Sequence, residues 1–150
     1  MKKIALLLLM CATSLVAMAQ YGWYYNDDQA ILMSDSEYLE GDFDDPTRLG
    51  IVVGGNNVDY VAMGIHGTGL TDFRDSQLYV VVSFDFGKSE RWRIKELKTD
   101  KSQFKFFVIV STEKFINRLR KCEHVSVTLP IYKYGKQTFY LNANGYPLDW

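Results

Sequence analysis

Along the second half of the chain the apolar positions keep two different beats. From Phe104 to Val110 and from Val125 to Ile131 apolar residues recur at every second position, the period of a half-buried strand. Between these runs the spacing lengthens. Phe115, Ile116 and Leu119 recur at three and four residues, which places them on one stripe of a helix. Ser111 or Thr112 stands where a hydroxyl would cap the first turn. Glu113 lies near the positive end of the helix dipole, and Arg118, Arg120 and Lys121 near its negative end. The spacing therefore predicts strand, helix from about Thr112 to Lys121, and strand again.

The rest of the chain reads as strands and turns. Tyr21, Trp23, Tyr24 and Tyr25 suit an edge strand with Trp23 and Tyr25 on one face and Tyr24 on the other. Asp27 to Pro46 is polar and acidic and reads as a solvated loop. Leu49 to Val53 and Val58 to Met63 flank Gly54-Gly55-Asn56-Asn57, residues that tolerate positive φ, so a hairpin is expected. Gly64 to Gly69 reads as a strand leaving the sheet. Gln77 to Phe86 is a strand with Val80, Val82, Phe84 and Phe86 on one side and Tyr79, Val81, Ser83 and Asp85 on the other. After a turn at Gly87 to Glu90, Trp92 and Ile94 point inward while Arg91, Arg93 and Lys95 point out, where bases discourage edge-to-edge pairing. Gln137 to Leu141 closes the sheet, with Phe139 and Leu141 inside and Trp150 plugging one end of the core.

The first nineteen residues belong to a different class. Met1-Lys2-Lys3 is a basic head, an apolar run opens at Ile4, and Ala17-Met18-Ala19 is a small-x-small cleavage site. Residues 1–19 are expected to be a secretory signal peptide, leaving 20–150 as one domain in the periplasm or outside the cell, with no stable membrane span after cleavage. Lipid anchoring at Cys11 is the competing reading. Cys122 is then the sole cysteine of the mature chain, so no internal disulfide can form; at the end of the helix it reads as a small buried apolar residue.

Charge sharpens this picture. Without Lys2 and Lys3 there are 15 bases against 18 acids, a net charge of −3. The acids gather early: Gln20 to Gly87 holds 12 acids and 2 bases, whereas Lys88 to Lys136 holds 13 bases and 5 acids. The two parts are expected to pack side by side and offset each other's field. No strand interleaves bases and aromatics as a nucleic-acid binder does, so nucleic acid is excluded as a partner.

Candidate chemistry is sparse. His66 and His124 have no metal-ligand neighbour at a useful spacing, and no G-x-S-x-G or H-E-x-x-H motif occurs. Asp42 to Asp45 alternates carboxylates but lacks the glycine and distal glutamate of a calcium loop. The expectation is no catalytic residue, no metal and no cofactor. Tyr21, Tyr24 and Tyr25 remain as ligand-binding candidates, because exposed rings can stack on sugars.

Several stretches of the second half carry a family likeness: F-D-F-G-K-S-E-R-W at Phe84 to Trp92, K-F-F-V-I-V at Lys105 to Val110, and K-F-I-N-R-L-R-K at Lys114 to Lys121. V-S-V-T-L-P follows at Val125 to Pro130, and F-Y-L-N-A-N-G-Y-P-L-D-W ends the chain at Phe139 to Trp150. This pattern resembles exported bacterial β-sandwich proteins, including type VI secretion accessory proteins and invasion-associated-locus-B-like proteins. The ending departs from theirs by an insertion between Gly145 and Leu148. The resemblance implies a non-enzymatic envelope protein that binds other proteins or the cell wall.

The expected fold is mainly β, an antiparallel β-sandwich or half-barrel with one α-helix inserted between two late strands. The expected function is a non-catalytic exported envelope protein acting through a protein-binding surface. The alternative is a glycan- or peptidoglycan-binding module that uses the N-terminal aromatics.

Overall fold

A computed structural model describes residues 22–26, 29–35, 47–54, 60–66, 71–73, 78–97 and 106–145. The leader, Cys11, Tyr21, the Asp42 to Asp45 loop, Gly67 to Gly69 and Trp150 lie outside these residues. The strands are β1 (Trp23–Asn26), β2 (Gln29–Met33), β3 (Arg48–Gly54), β4 (Tyr60–His66), β5 (Tyr79–Phe84), β6 (Glu90–Glu96), β7 (Phe106–Ile109), β8 (His124–Ile131) and β9 (Gly135–Asn142). One helix, α1 (Thr112–Leu119), stands between β7 and β8.

All nine strands form one antiparallel sheet in the order β1-β2-β3-β4-β7-β6-β5-β8-β9, curled into a half-barrel. β5, β6 and β7 follow one another as hairpins, and α1 then carries the chain back across them so that β8 pairs with β5. This is a Greek key, and the helix is its long return connection. Phe115, Ile116 and Leu119 of α1 are buried in the core that fills the concave side. Neither expected hydroxyl caps the helix: Ser111 is the N-cap residue but its side chain makes no capping bond, and Thr112 Oγ1 donates backward to the Ile109 carbonyl at 3.0 Å.

The two halves of the sheet bury apolar residues differently. In β5, β8 and most of β6 and β9, buried and exposed positions alternate as expected of one packed face. By contrast β2, β3 and β4 are apolar on both faces. Their outward residues Ile31, Val52 and Ala62 form a second buried cluster with Leu97 and Phe106. Phe106 and Val108 therefore belong to this outer layer, while Phe107 and Ile109 face the main core, one residue out of phase with the expected strand.

Two further departures matter for the surface. Gln29 to Met33, set among the acids of an expected loop, is the second strand and is almost wholly buried. β6 has paired neighbours on both sides, β5 and β7, so its outward bases protect no edge.

The seam of the half-barrel is closed by two side chains and one backbone bond. Trp23 Nε1–H donates to the Ala143 carbonyl at 2.9 Å and the Tyr25 hydroxyl to the Gly145 carbonyl at 2.8 Å. The Asp35 N–H reaches the Tyr140 carbonyl at 3.2 Å. The chain after β9 thus lies against the side of β1 that carries Trp23, which packs on the core.

Candidate functional site

The sequence pattern carries β5 through Phe86, but the strand stops at Phe84. Asp85 and Phe86 take φ values of +48° and +57°, and the Gly87 N–H returns to the Phe84 carbonyl at 2.9 Å. Two left-handed residues inside such a closed turn give the type I′ arrangement, which follows the twist of the strands it joins. Asp tolerates the left-handed region; a bulky phenylalanine does so only at a cost. The turn takes Phe86 off the side it was expected to share with Val80, Val82 and Phe84: those three are buried, and Phe86 is 74 % exposed.

Asp85 fixes this turn to the start of β8. Its N–H donates to the His124 carbonyl at 2.8 Å, and its Oδ1 accepts the N–H groups of Glu123 at 2.8 Å and His124 at 2.9 Å. The His124 and Glu123 amides hold the Asp85 carboxyl below its ordinary range, with smaller help from the charges of His124 and Arg118. The Phe86 ring leans on the His124 imidazole, centroids 5.1 Å apart and planes at 40°.

Beneath the turn, Phe84, Trp92 and Phe115 meet edge to face. Phe115 lies 5.5 Å from Phe84 and 4.8 Å from Trp92 by ring centroids. Arg118 crosses the top of this cluster. Its guanidinium stands 4.7 Å from the Phe84 ring centroid and bonds Glu90 at 2.7 Å. Helix, hairpin and β8 are thereby joined under one protruding ring. The arrangement has the form of an anchor on a braced base, with His124 against the Phe86 ring, the Glu123 amide on Asp85 and Arg118 over Phe84.

The residues singled out from the sequence are dispersed. Tyr24 and Tyr25 are 44 % and 42 % exposed, but they alternate on β1 and so sit on opposite faces. Tyr25 donates to the Gly145 carbonyl, and Tyr21, the third of these candidates, lies outside the described residues. His66 ends β4 opposite Arg48. Cys122 is buried, bonded to the Leu119 carbonyl at 3.5 Å, and burial pushes its thiol up to about 11. Among the described residues no group of three or more His, Cys, Asp or Glu side chains is placed to hold a metal ion.

Phe86 was missed because period-two alternation runs through it without a break. The available signal was local: Asp at 85 and Gly at 87 bracket it, the residue types that favour turns. Compared with known protein families, curated proteins and solved structures, the chain matches none.

Proposed function

We propose that the protein is a non-catalytic, exported envelope protein that docks another protein on the tip formed by Phe86, His124 and Arg118. One observation carries this reading: Phe86 stands in a left-handed conformation while exposing 74 % of itself to water. Such strain costs free energy, and an exposed ring recovers little of it within the fold. Exposed aromatics on rigid supports are the usual anchors of protein interfaces. Export rests on the pattern of residues 1–19, and the resemblance of the second half to exported β-sandwich proteins agrees with it.

The test is a pull-down from envelope extracts using the mature chain, read by mass spectrometry. A partner captured by the wild type, lost with Phe86→Gly and retained by Tyr24→Ala supports the reading. Peptidoglycan capture that disappears with Tyr24→Ala and survives Phe86→Gly would replace it with the glycan-binding alternative.

A further inference from the structure

The strand positions on the outward face of β6, β5, β8 and β9 carry positive charge and no carboxylate among the described residues. Asp85, in the turn beyond Ser83, engages its carboxylate with the Glu123 and His124 amides at the end of the face. Arg91, Arg93 and Lys95 project from β6 at every second position, and Lys136 projects from β9. The two glutamates of β6, Glu90 and Glu96, have the opposite parity, and Glu90 turns to Arg118. Successive outward side chains on a strand are about 7 Å apart, so three like charges stand in a line. Their cross-strand neighbours do not neutralise them: Arg91 lies beside Val81, Arg93 beside Tyr79 and Lys95 beside Val108. Arg91 rests on the Tyr79 ring, 4.9 Å from its centroid.

Neither edge protection nor internal pairing accounts for this line. β6 is hydrogen-bonded on both sides, and the described residues offer Arg93 and Lys95 no ion pair. Across the same face the register sets hydroxyls beside the bases. Arg91, Val81, Thr128 and Thr138 form one row, and Ser83, Ser126 and Tyr140 the next. A face of this kind offers a line of charges for repeated anions and hydroxyls for neutral ring substituents. Val81, its central apolar residue, is only half-exposed, and Tyr140 carries its own hydroxyl, so no wedge suited to entering a lipid layer projects here.

We infer that the outward face of β6-β5-β8-β9 binds a linear acidic polysaccharide, its carboxylates or other anionic groups laid along Arg91, Arg93 and Lys95. This surface is separate from the Phe86 tip, and the inference does not depend on the docking role given to that tip.

Affinity electrophoresis of the mature chain in gels containing polygalacturonate tests it. Without Lys2 and Lys3 the mature chain has 15 bases against 18 acids, a net charge of −3, so its bulk charge opposes binding to a polyanion and retardation would report a local site. Retardation is expected at low salt, to weaken as salt rises, and to be absent in gels of neutral dextran. Arg93→Ser with Lys95→Ser should weaken it by about tenfold or more, because charge-assisted contacts are lost. Lys114→Ser with Lys121→Ser removes the same charge from α1 and the turn that follows it, and should leave most of the binding. All these side chains are exposed except that Lys114 also covers Trp92, so circular dichroism of each variant confirms the fold. No retardation at low salt, equal losses in both double variants, or binding to anionic phosphatidylglycerol vesicles without binding to the polysaccharide would overturn the proposal.

Discussion

Asp85 and His124 are bonded to each other twice, in opposite senses: the Asp85 N–H donates to the His124 carbonyl, and Asp85 Oδ1 accepts the His124 N–H. The pair joins the β5–β6 turn to the first residue of β8. Because the folded carboxyl titrates below its ordinary value of 3.8, it stabilises the fold above the unfolded pKa, and that contribution disappears as pH falls through the lower folded value. Asp85→Asn keeps the side-chain oxygen and the tolerance for positive φ while removing the charge. Its urea midpoint should fall below that of the wild type at neutral pH. The gap should close as the solution is acidified below about pH 4. A gap that stays constant with pH would remove the carboxylate from this role.

The neighbouring residue should show stability and function in opposition. Left-handed geometry costs a residue with a side chain about 1–2 kcal/mol, and a glycine gives back roughly 0.5–1 kcal/mol of that in unfolded-chain entropy. Phe86→Gly is therefore expected to stabilise the domain by about 0.5–1 kcal/mol in chemical denaturation, while abolishing partner capture. Loss of stability in this variant would mean that the ring's contact with His124 outweighs its backbone strain.

Trp92 contains a different tension. Its indole is buried against Phe84 and Phe115, yet its Nε1–H has no hydrogen-bond partner among the described residues. Trp92→Phe removes an unsatisfied donor worth about 1–3 kcal/mol, which offsets much of the lost ring volume. It should lie within about 1 kcal/mol of the wild type by urea titration, whereas Trp92→Ala should cost about 3–5 kcal/mol. A Phe variant as unstable as the Ala variant would point to ring size and not the donor as the controlling term.

What could be read in advance followed from burial geometry. β5, β8 and β9 alternate because one of their faces meets water, and α1 declares itself through Phe115, Ile116 and Leu119. β2 was hidden by context. It is five residues long, lies between Asp27-Asp28 and Asp35, and is buried on both faces, so it has no period. β7 misled for a related reason: with Phe106 outside and Phe107 inside, either phase satisfies the pattern. Adjacency was less legible still. The unit β7-α1-β8 suggests two neighbouring strands, but β6 and β5 lie between them, and only long-range pairing decides that. At the tip, the turn at Asp85-Phe86 overrode an otherwise unbroken alternation.

The seam gives a prediction about local opening. Trp23 holds the residue after β9 through one hydrogen bond from its indole, and Tyr25 holds Gly145 from a more exposed position. Trp23→Phe should cost about 1 kcal/mol, and amide exchange along β9 and the following turn should quicken more than exchange in β5. Tyr25→Phe should change stability by less, since water can replace its partner. Uniform acceleration across the sheet would show that the seam opens only with global unfolding.

Cys122 tests the burial of the helix end against the oxidising surroundings proposed for the protein. Desolvation is the main cause that pushes its thiol up to about 11, with the Asp85 charge adding to it, so at pH 8 almost none of it is thiolate. The thiolate is the species that attacks disulfides and alkylating reagents, and the side chain is also only 6 % exposed. In the folded mature chain, 5,5′-dithiobis(2-nitrobenzoate) should label Cys122 far more slowly than it labels the same residue in urea. No disulfide-linked dimer should accumulate under air. Raising the pH toward 10 should speed labelling of the unfolded chain but leave the folded chain largely protected, because burial and pKa act together only when α1 is docked. Rapid labelling at pH 8 would mean that the α1–β8 junction opens readily, and with it the base on which Asp85 and Phe86 stand.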